Sequence, residues 1–308
     1  MYAQFFGSYL LSKNIVTPKQ LTEAISHLSE AHIKLGTLAM HKGYMTAEEV
    51  NEVCFLQTRE DKHFGQIALE RNYLFEDQLN ELLNTQSPDY LLLGQNLVDM
   101  GAITNNQLEE LLLGYRDENQ LNSDMEANEL PEESMQLVDK FFEQTGRPLP
   151  KNILIYMNLL FNNLVRFIGS DFTPLTPVFT NSYDTNFCIT QQIKGFLPLL
   201  TALDMEPETA ITFASRYAKM EFDEFNEYVK ASLEDFINLH NGLFSVNMSN
   251  TYSKEAELDP PGPTDEDTLE LSDDAFVVPI IYPFGTIYFA ISGTGDASID
   301  EDSEESQE

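Results

Sequence analysis

The sequence predicts an α+β protein in two parts, an all-α helical-repeat array of four 29-residue units followed by a domain with an antiparallel sheet and long helices. Three observations predict it. Glycine stands at positions 7, 36, 65 and 94, each behind a large apolar residue (Phe6, Leu35, Phe64, Leu93) and each 29 residues from the last. A polar, acidic stretch over 116–134 then interrupts the pattern. Beyond it, long amphipathic runs are interspersed with short strand-like runs, the mark of an α+β domain. The expected organisation is repeats over 1–115, an acidic linker over 116–134, the α+β domain over 135–292 and an acidic, disordered tail over 293–308.

Within each repeat the residues spell helix, turn, helix. Seven positions past each glycine come Asn14, Gly43, Asn72 and Gly101, residue types that accept the left-handed backbone at a helix end. Two apolar residues follow, and then a start signal. Thr17, Thr46 and Thr104 are N-cap candidates, with Gln20, Glu49 and Gln107 placed to complete capping boxes. Pro18 sits at the favoured first helical position, and Phe75 breaks the pattern in the third unit. The second helix of each unit carries an i, i+3, i+4 apolar stripe: Leu21, Ala24, Ile25 and Leu28, then Val50, Val53 and Cys54, then Leu79, Leu82 and Leu83.

Composition excludes several classes. The net charge is −34, with seven Lys or Arg against fifteen Asp or Glu in residues 1–115 and ten against thirty-six beyond. That sign opposes binding to nucleic acid, whose phosphates must be neutralised by Lys and Arg, and to anionic membrane. No apolar run reaches 18 residues, and the opening MYAQFFGSYLLSKN has no basic region before its apolar stretch. Neither a membrane span nor a signal peptide is expected, and the expected location is the cytoplasm. Cys54 and Cys188 read as two reduced core thiols, and the five histidines form no ligand pair.

In the second domain a helix is expected over 150–169, strands near 177–180, 186–192 and 195–202, and helices over 207–219 and 222–246. Two closing strands are expected over 276–282 and 286–292, joined through Pro283-Phe284-Gly285. In the 222–246 helix, Phe222, Phe225, Val229, Leu233, Phe236 and Ile237 make the apolar stripe. On another face Ala231, Asp235, Asn238 and Gly242 form a line of small and polar residues. An Asp and an Asn three apart project side by side, offering a carboxylate and a carboxamide to a partner surface.

Two family resemblances follow from these residues. Asp204-Met205, Pro207-Glu208-Thr209-Ala210 and Ala214-Ser215, then a helix bearing acidic-x-x-Asn-x-x-x-Gly and the closing run 278–289, resemble the CheX branch of the CheC/CheX/FliY chemotaxis phosphatases. This resemblance covers about 145–292. It implies a CheX-like fold, a phosphorylated CheY-like receiver domain as partner, and hydrolysis of the receiver's aspartyl-phosphate. Asn238 would orient the attacking water, Asp235 would pair with a receiver lysine, and Ala231 and Gly242 would lie at the contact. The Mg²⁺ would be the receiver's, so this chain would bind no metal or cofactor of its own. Asp235 stands where the family has Glu, one methylene longer, and sheet pairing into a homodimer is a family habit.

The repeats are similar to the N-terminal (MshEN-type) domain of type II secretion and pilus ATPases, some members of which bind cyclic di-GMP. That resemblance implies candidate nucleotide contacts at Lys34, Gly36, Gln57, His63, Gly65 and Gln86, although Lys34 and His63 stand where the nucleotide-binding members carry Arg. Three readings therefore stay open: a receiver phosphatase, a non-catalytic docking adaptor, and a cyclic di-GMP effector.

Overall fold

A computed structural model describes residues 2–28, 32–85, 89–119, 131–264 and 266–293. Gln86, most of the acidic stretch over 116–134 and nearly all of 293–308 lie outside the described residues. The chain divides into two compact units. The first is Met1–Leu137 with Ser170–Pro174 and Ile281–Pro283; the second is Val138–Gly169, Leu175–Ile280 and Phe284–Glu308.

The first unit holds four helical pairs: α1 (Tyr2–Ser12) with α2 (Pro18–Ser26), α3 (Leu35–His41) with α4 (Ala47–Gln57), α5 (Phe64–Glu70) with α6 (Glu76–Asn84), and α7 (Asp89–Asp99) with α8 (Asn105–Glu118). Each first helix stops where expected, because Asn14, Gly43, Asn72 and Gly101 all have φ between 56° and 71°. Each second helix starts where expected. Thr17, Thr46 and Thr104 accept from the backbone N–H three residues on, and Gln20, Glu49 and Gln107 reach back to the cap. At Phe75 only half of the box survives: Gln78 accepts from the Phe75 N–H at 3.0 Å, and the Phe ring stands exposed.

The glycine period has a steric cause. A Cβ on Gly36 would come within 2.7 Å of Val50, on Gly65 within 2.9 Å of Leu79, and on Gly94 within 2.6 Å of Leu108. Each glycine thus lets the leading apolar residue of its own second helix lie against the first helix. At Gly7 the nearest atoms belong to Thr173. Gly94→Val is expected to over-pack this seam and destabilise the unit by about 1–3 kcal/mol in a denaturant melt.

The order in which the units pack departs from chain order. The first pairs with the fourth: Phe6 packs on Tyr90 and Tyr115, and Asn96 Nδ2 donates to the Ala24 carbonyl at 2.7 Å. The second pairs with the third, Phe64 lying over Gly36 and Leu35 over Gly65. The second and fourth meet through Thr37 and Gln95, Ala47 N–H and Glu109, and Asn51 and Asn105. The spatial sequence is therefore 1-4-2-3. Cys54 is exposed rather than a core thiol, and Leu83 is likewise exposed, so the buried stripe of the second helices is narrower than expected. Cys188 is buried, and burial pushes its thiol up to about 12.

After α9 (Pro131–Glu143), not anticipated from the sequence, and β1 (Thr173–Pro174), which falls in the first unit, the second unit is built, among the described residues, on α10 (Lys151–Phe167), α11 (Pro207–Ala218), α12 (Glu227–Tyr252) and the strands β2 (Val178–Phe179), β3 (Ser182–Asp184), β4 (Phe187–Gly195), β5 (Leu199–Met205), β6 (Ala256–Leu258), β7 (Gly262–Pro263), β8 (Thr268–Glu270), β9 (Phe276–Tyr282) and β10 (Gly285–Ser292). The sheet runs β9-β10-β5-β4-β6, with β2 also on β9 and β7 on β4. The β10/β5, β5/β4 and β4/β6 pairings are antiparallel.

Side-chain alternation sorts the sheet into two faces. Ile189, Gln191, Thr201 and Leu203 share one face, on which α12 places His240 and Asn241 and α10 places Tyr156. The opposite face carries Cys188, Ala202, Val277 and Ala290, packed with Tyr183 and Leu269 of the separate β3–β8 ribbon. That ribbon was not expected. Buried Asp204 anchors it, accepting from Tyr183 O–H at 2.5 Å and from Asn186 N–H and Nδ2 at 2.8 and 3.0 Å.

Two boundaries differ from expectation. The strand expected over 195–202 begins at Leu199, because Gly195 ends β4 at φ 106° with the Glu255 carbonyl 2.6 Å from where a Cβ would stand. The helix expected from 222 begins at Glu227, because Asn226 Oδ1 accepts from the N–H groups of Tyr228 and Val229 at 3.0 and 3.2 Å and so caps it. Phe222 and Phe225 therefore precede α12, and Phe225 instead meets the Phe187 ring at 4.7 Å.

Candidate functional site

The exposed face of α12 places both singled-out polar residues together. Phe236, Ile237, His240, Asn241 and Phe244 are buried, so Asp235 and Asn238, one turn apart on the other side, face solvent. Each is held by a neighbour from a different element. Tyr217, on α11, donates its hydroxyl to Asp235 Oδ2 at 2.6 Å. Its ring is fixed edge-on against Phe236 at 5.7 Å and Phe167 at 5.9 Å. Partial burial and the adjoining carboxylate push the Tyr217 hydroxyl well above its ordinary pKa, so it remains a donor. Asn238 Oδ1 accepts from Gln191 Nε2 on β4 at 2.8 Å.

Beside Asp235 lies an open groove of ≈ 710 Å³, lined among others by Phe167, Tyr217, Met220, Phe222, Tyr228 and Ala231. Met220 is 62% and Tyr228 74% exposed, so apolar surface is offered to solvent directly alongside a carboxylate. The loop that presents them is tethered by Ser215, whose Oγ donates to the Ile211 carbonyl at 2.7 Å and accepts from Phe222 N–H at 3.1 Å. Ala231 lines the groove, whereas Gly242 is half-buried beneath Leu258, 3.9 Å from its would-be Cβ.

A buried polar chain stands behind Asn238. Gln191 Nε2 also donates to the Asp259 carbonyl at 2.8 Å, and Gln191 Oε1 accepts from Asn241 Nδ2 at 2.8 Å. Asn241 Nδ2 reaches Thr201 Oγ1 at 2.9 Å, and Tyr156 donates to Asn241 Oδ1 at 2.6 Å. Gln191, Thr201 and Asn241 were not anticipated. The signal was present, since Gln191 alternates with Ile189 and Ile193, Thr201 with Leu199 and Leu203, and Asn241 follows the apolar stripe of its helix. A polar residue on an apolar face needs a partner there.

The candidate nucleotide residues are spread over the repeats. Lys34 pairs with Asp99 at the surface, Gly36 and Gly65 are buried inside α3 and α5, and His63 is the exposed N-cap of α5. Gln57 Nε2 reaches the Lys62 carbonyl at 3.4 Å, and Gln86 lies outside the described residues. Among the described residues no group of three His, Cys, Asp or Glu could hold a metal ion, and no helix is long and apolar enough to cross a membrane.

No family model and no curated protein matches the chain. Solved structures of chemotaxis proteins are similar to its C-terminal half. The chemotaxis protein CheX from Desulfovibrio desulfuricans is 13% identical with a TM-score of 0.41, covering 47% of this chain and 99% of its own. A CheX–CheY–BeF3–Mg complex from Borrelia burgdorferi is 18% identical with a TM-score of 0.40, covering 46% and 97%. FliY from Thermotoga maritima is 13% identical with a TM-score of 0.32, covering 54% and 92%.

Proposed function

We propose that the second unit docks a phosphorylated response-regulator receiver domain and hydrolyses its aspartyl-phosphate, in a chemotaxis-type signalling role. The repeat unit is then the regulatory or docking half. The observation that carries this reading is the pairing on α12. Asp235 and Asn238 are exposed one turn apart, each fixed by a buried or half-buried neighbour, and Asp235 lines an apolar groove suited to a protein surface.

In this reading water attacks the receiver's phosphorus, the acyl phosphate bond breaks, and aspartate and inorganic phosphate leave. Asn238 enters the receiver's site to position the reacting oxygens, and Asp235 pairs with a receiver lysine. Positioning and electrostatics are what such a transfer requires from a partner protein. Tyr217 compensates in part for the missing methylene of Asp235 by holding the carboxylate in one place.

Purified full-length protein is expected to accelerate phosphate loss from a cognate CheY-like receiver. Asn238→Ala should lower that acceleration by about a hundredfold or more, as loss of a transition-state contact does. The check is release of inorganic phosphate from the phosphorylated receiver, with receiver binding followed in parallel. Binding without any acceleration, unchanged by Asn238→Ala, would make the protein an adaptor instead.

A further inference from the structure

Resting on that reading, we infer that Gln191 is a positioning residue that sets the polarity of Asn238, turning its carbonyl inward and presenting its Nδ2 amide outward as a donor to an oxygen lone pair of the reacting phosphoryl group. Which end of a carboxamide is oxygen is settled by its partners, and here the partners settle it from two directions.

The first constraint is a backbone carbonyl. Gln191 lies 2.8 Å from the Asp259 oxygen, which can only accept, so that end of Gln191 is Nε2. The same Nε2 is 2.8 Å from Asn238, whose facing atom must therefore be the acceptor Oδ1. The second constraint arrives through the core. The Thr201 hydroxyl donates its single proton to the Gln191 backbone carbonyl at 3.0 Å, so toward Asn241 it can only accept. Asn241 therefore offers Nδ2 to Thr201 at 2.9 Å and to Gln191 at 2.8 Å, which makes that end of Gln191 its Oε1. Tyr156 closes the chain by donating to Asn241 Oδ1 at 2.6 Å. Both routes give Gln191 the same orientation.

Asn241, Thr201 and Gln191 are buried, and Asn238 is exposed, so the chain runs from core to surface. A freely rotating surface asparagine offers donor or acceptor at will. This one has its acceptor committed, and its two remaining donor protons face the partner. The chemistry selected is an oxygen that accepts, such as a phosphoryl oxygen.

The test is Gln191→Glu in the full chain. A carboxylate at 191 can no longer donate to Asn238, and Asn238 is expected to reverse, turning its amide inward onto the new carboxylate. The first readout is side-chain amide NMR of Asn238, assigned by its absence in Asn238→Ala. In the parent protein the amide protons exchange freely with solvent; in Gln191→Glu at least one becomes protected and moves downfield. The second readout is receiver-phosphate turnover, where kcat falls by about a hundredfold while KM holds.

An Asn238 amide as solvent-exchanging in Gln191→Glu as in the parent, at a pH where ¹³C NMR shows the introduced carboxyl ionised, would overturn the inference. Should Gln191→Glu fail to fold or its buried carboxyl stay protonated, Gln191→Met removes the donor without charge, and loss of Asn238 side-chain order in ¹⁵N relaxation is then expected; unchanged order would overturn it equally. A parent protein that shows no turnover defeats the phosphatase reading alone, because the amide measurement still decides the polarity.

Discussion

Asn241→Leu is expected to cost the second unit about 3–5 kcal/mol of folding stability, although the two side chains are close in volume. Asn241 is completely buried and serves three partners: Tyr156 O–H, Gln191 Oε1 and Thr201 Oγ1. Leucine leaves the glutamine oxygen buried with nothing to bond, at about 1–3 kcal/mol, and strips the tyrosine and threonine hydroxyls of a bond worth about 1 kcal/mol each, although these two can still reach each other. Burial raises the Tyr156 hydroxyl far above its ordinary pKa, so it cannot escape by ionising. Denaturant unfolding measures the loss. Tyr156→Phe added to Asn241→Leu should recover part of it, because removing both partners is milder than removing one. A loss below about 1 kcal/mol would mean that the network contributes little.

The second large effect is a pH dependence centred on His240, one residue earlier. Its ring is fully buried between Tyr156 and Phe289, and its Nδ1 accepts from Asn163 Nδ2 at 3.0 Å. Among the described residues Nε2 has no hydrogen-bond partner. Burial alone holds the imidazole neutral down to about 3. Between that value and the unfolded pKa of about 6.5, the unfolded chain binds a proton that the folded chain refuses. The contribution is therefore whole above pH about 6.5 and is lost as pH falls toward 3, at up to about 1.4 kcal/mol per pH unit. Comparing the parent protein with His240→Leu across pH 7.5 to 4.5 isolates this slope, since the 51 carboxylates are common to both. The stability difference between the two proteins should shift against the parent on acidification. A constant difference would show that His240 can be protonated without unfolding.

Local signals were the legible part. The caps at Thr17, Thr46 and Thr104 and the left-handed residues at 14, 43, 72 and 101 depend on neighbours within four residues, so residue type alone decided them. Asp235 and Asn238 were legible for the same reason, as helical spacing places them on one face. What depends on distant partners was hidden. Nothing in a 29-residue period says which unit will touch which. The early start read for α12 came from Phe222 and Phe225 continuing its apolar stripe, whereas the Asn226 cap overrides that stripe. The link from Gln191 to Asn238 is silent in the sequence, since it depends on the β4–β5 register that places Gln191 beside Thr201.

The 1-4-2-3 packing of the repeats has a consequence for their origin. Mapping unit 1 onto 3 and unit 2 onto 4 reverses that order and leaves it otherwise unchanged, which is what a pseudo-twofold axis does. Thr37 and Gln95, 58 positions apart, are each other's counterparts and meet across the axis. The contacts between Ala47 and Glu109 and between Asn105 and Asn51 exchange under the same operation. The module is in effect a fused homodimer of two-repeat halves, closed by its own isologous interface. Such an object cannot lengthen by appending a fifth unit as a solenoid does; it changes by altering one half against the other.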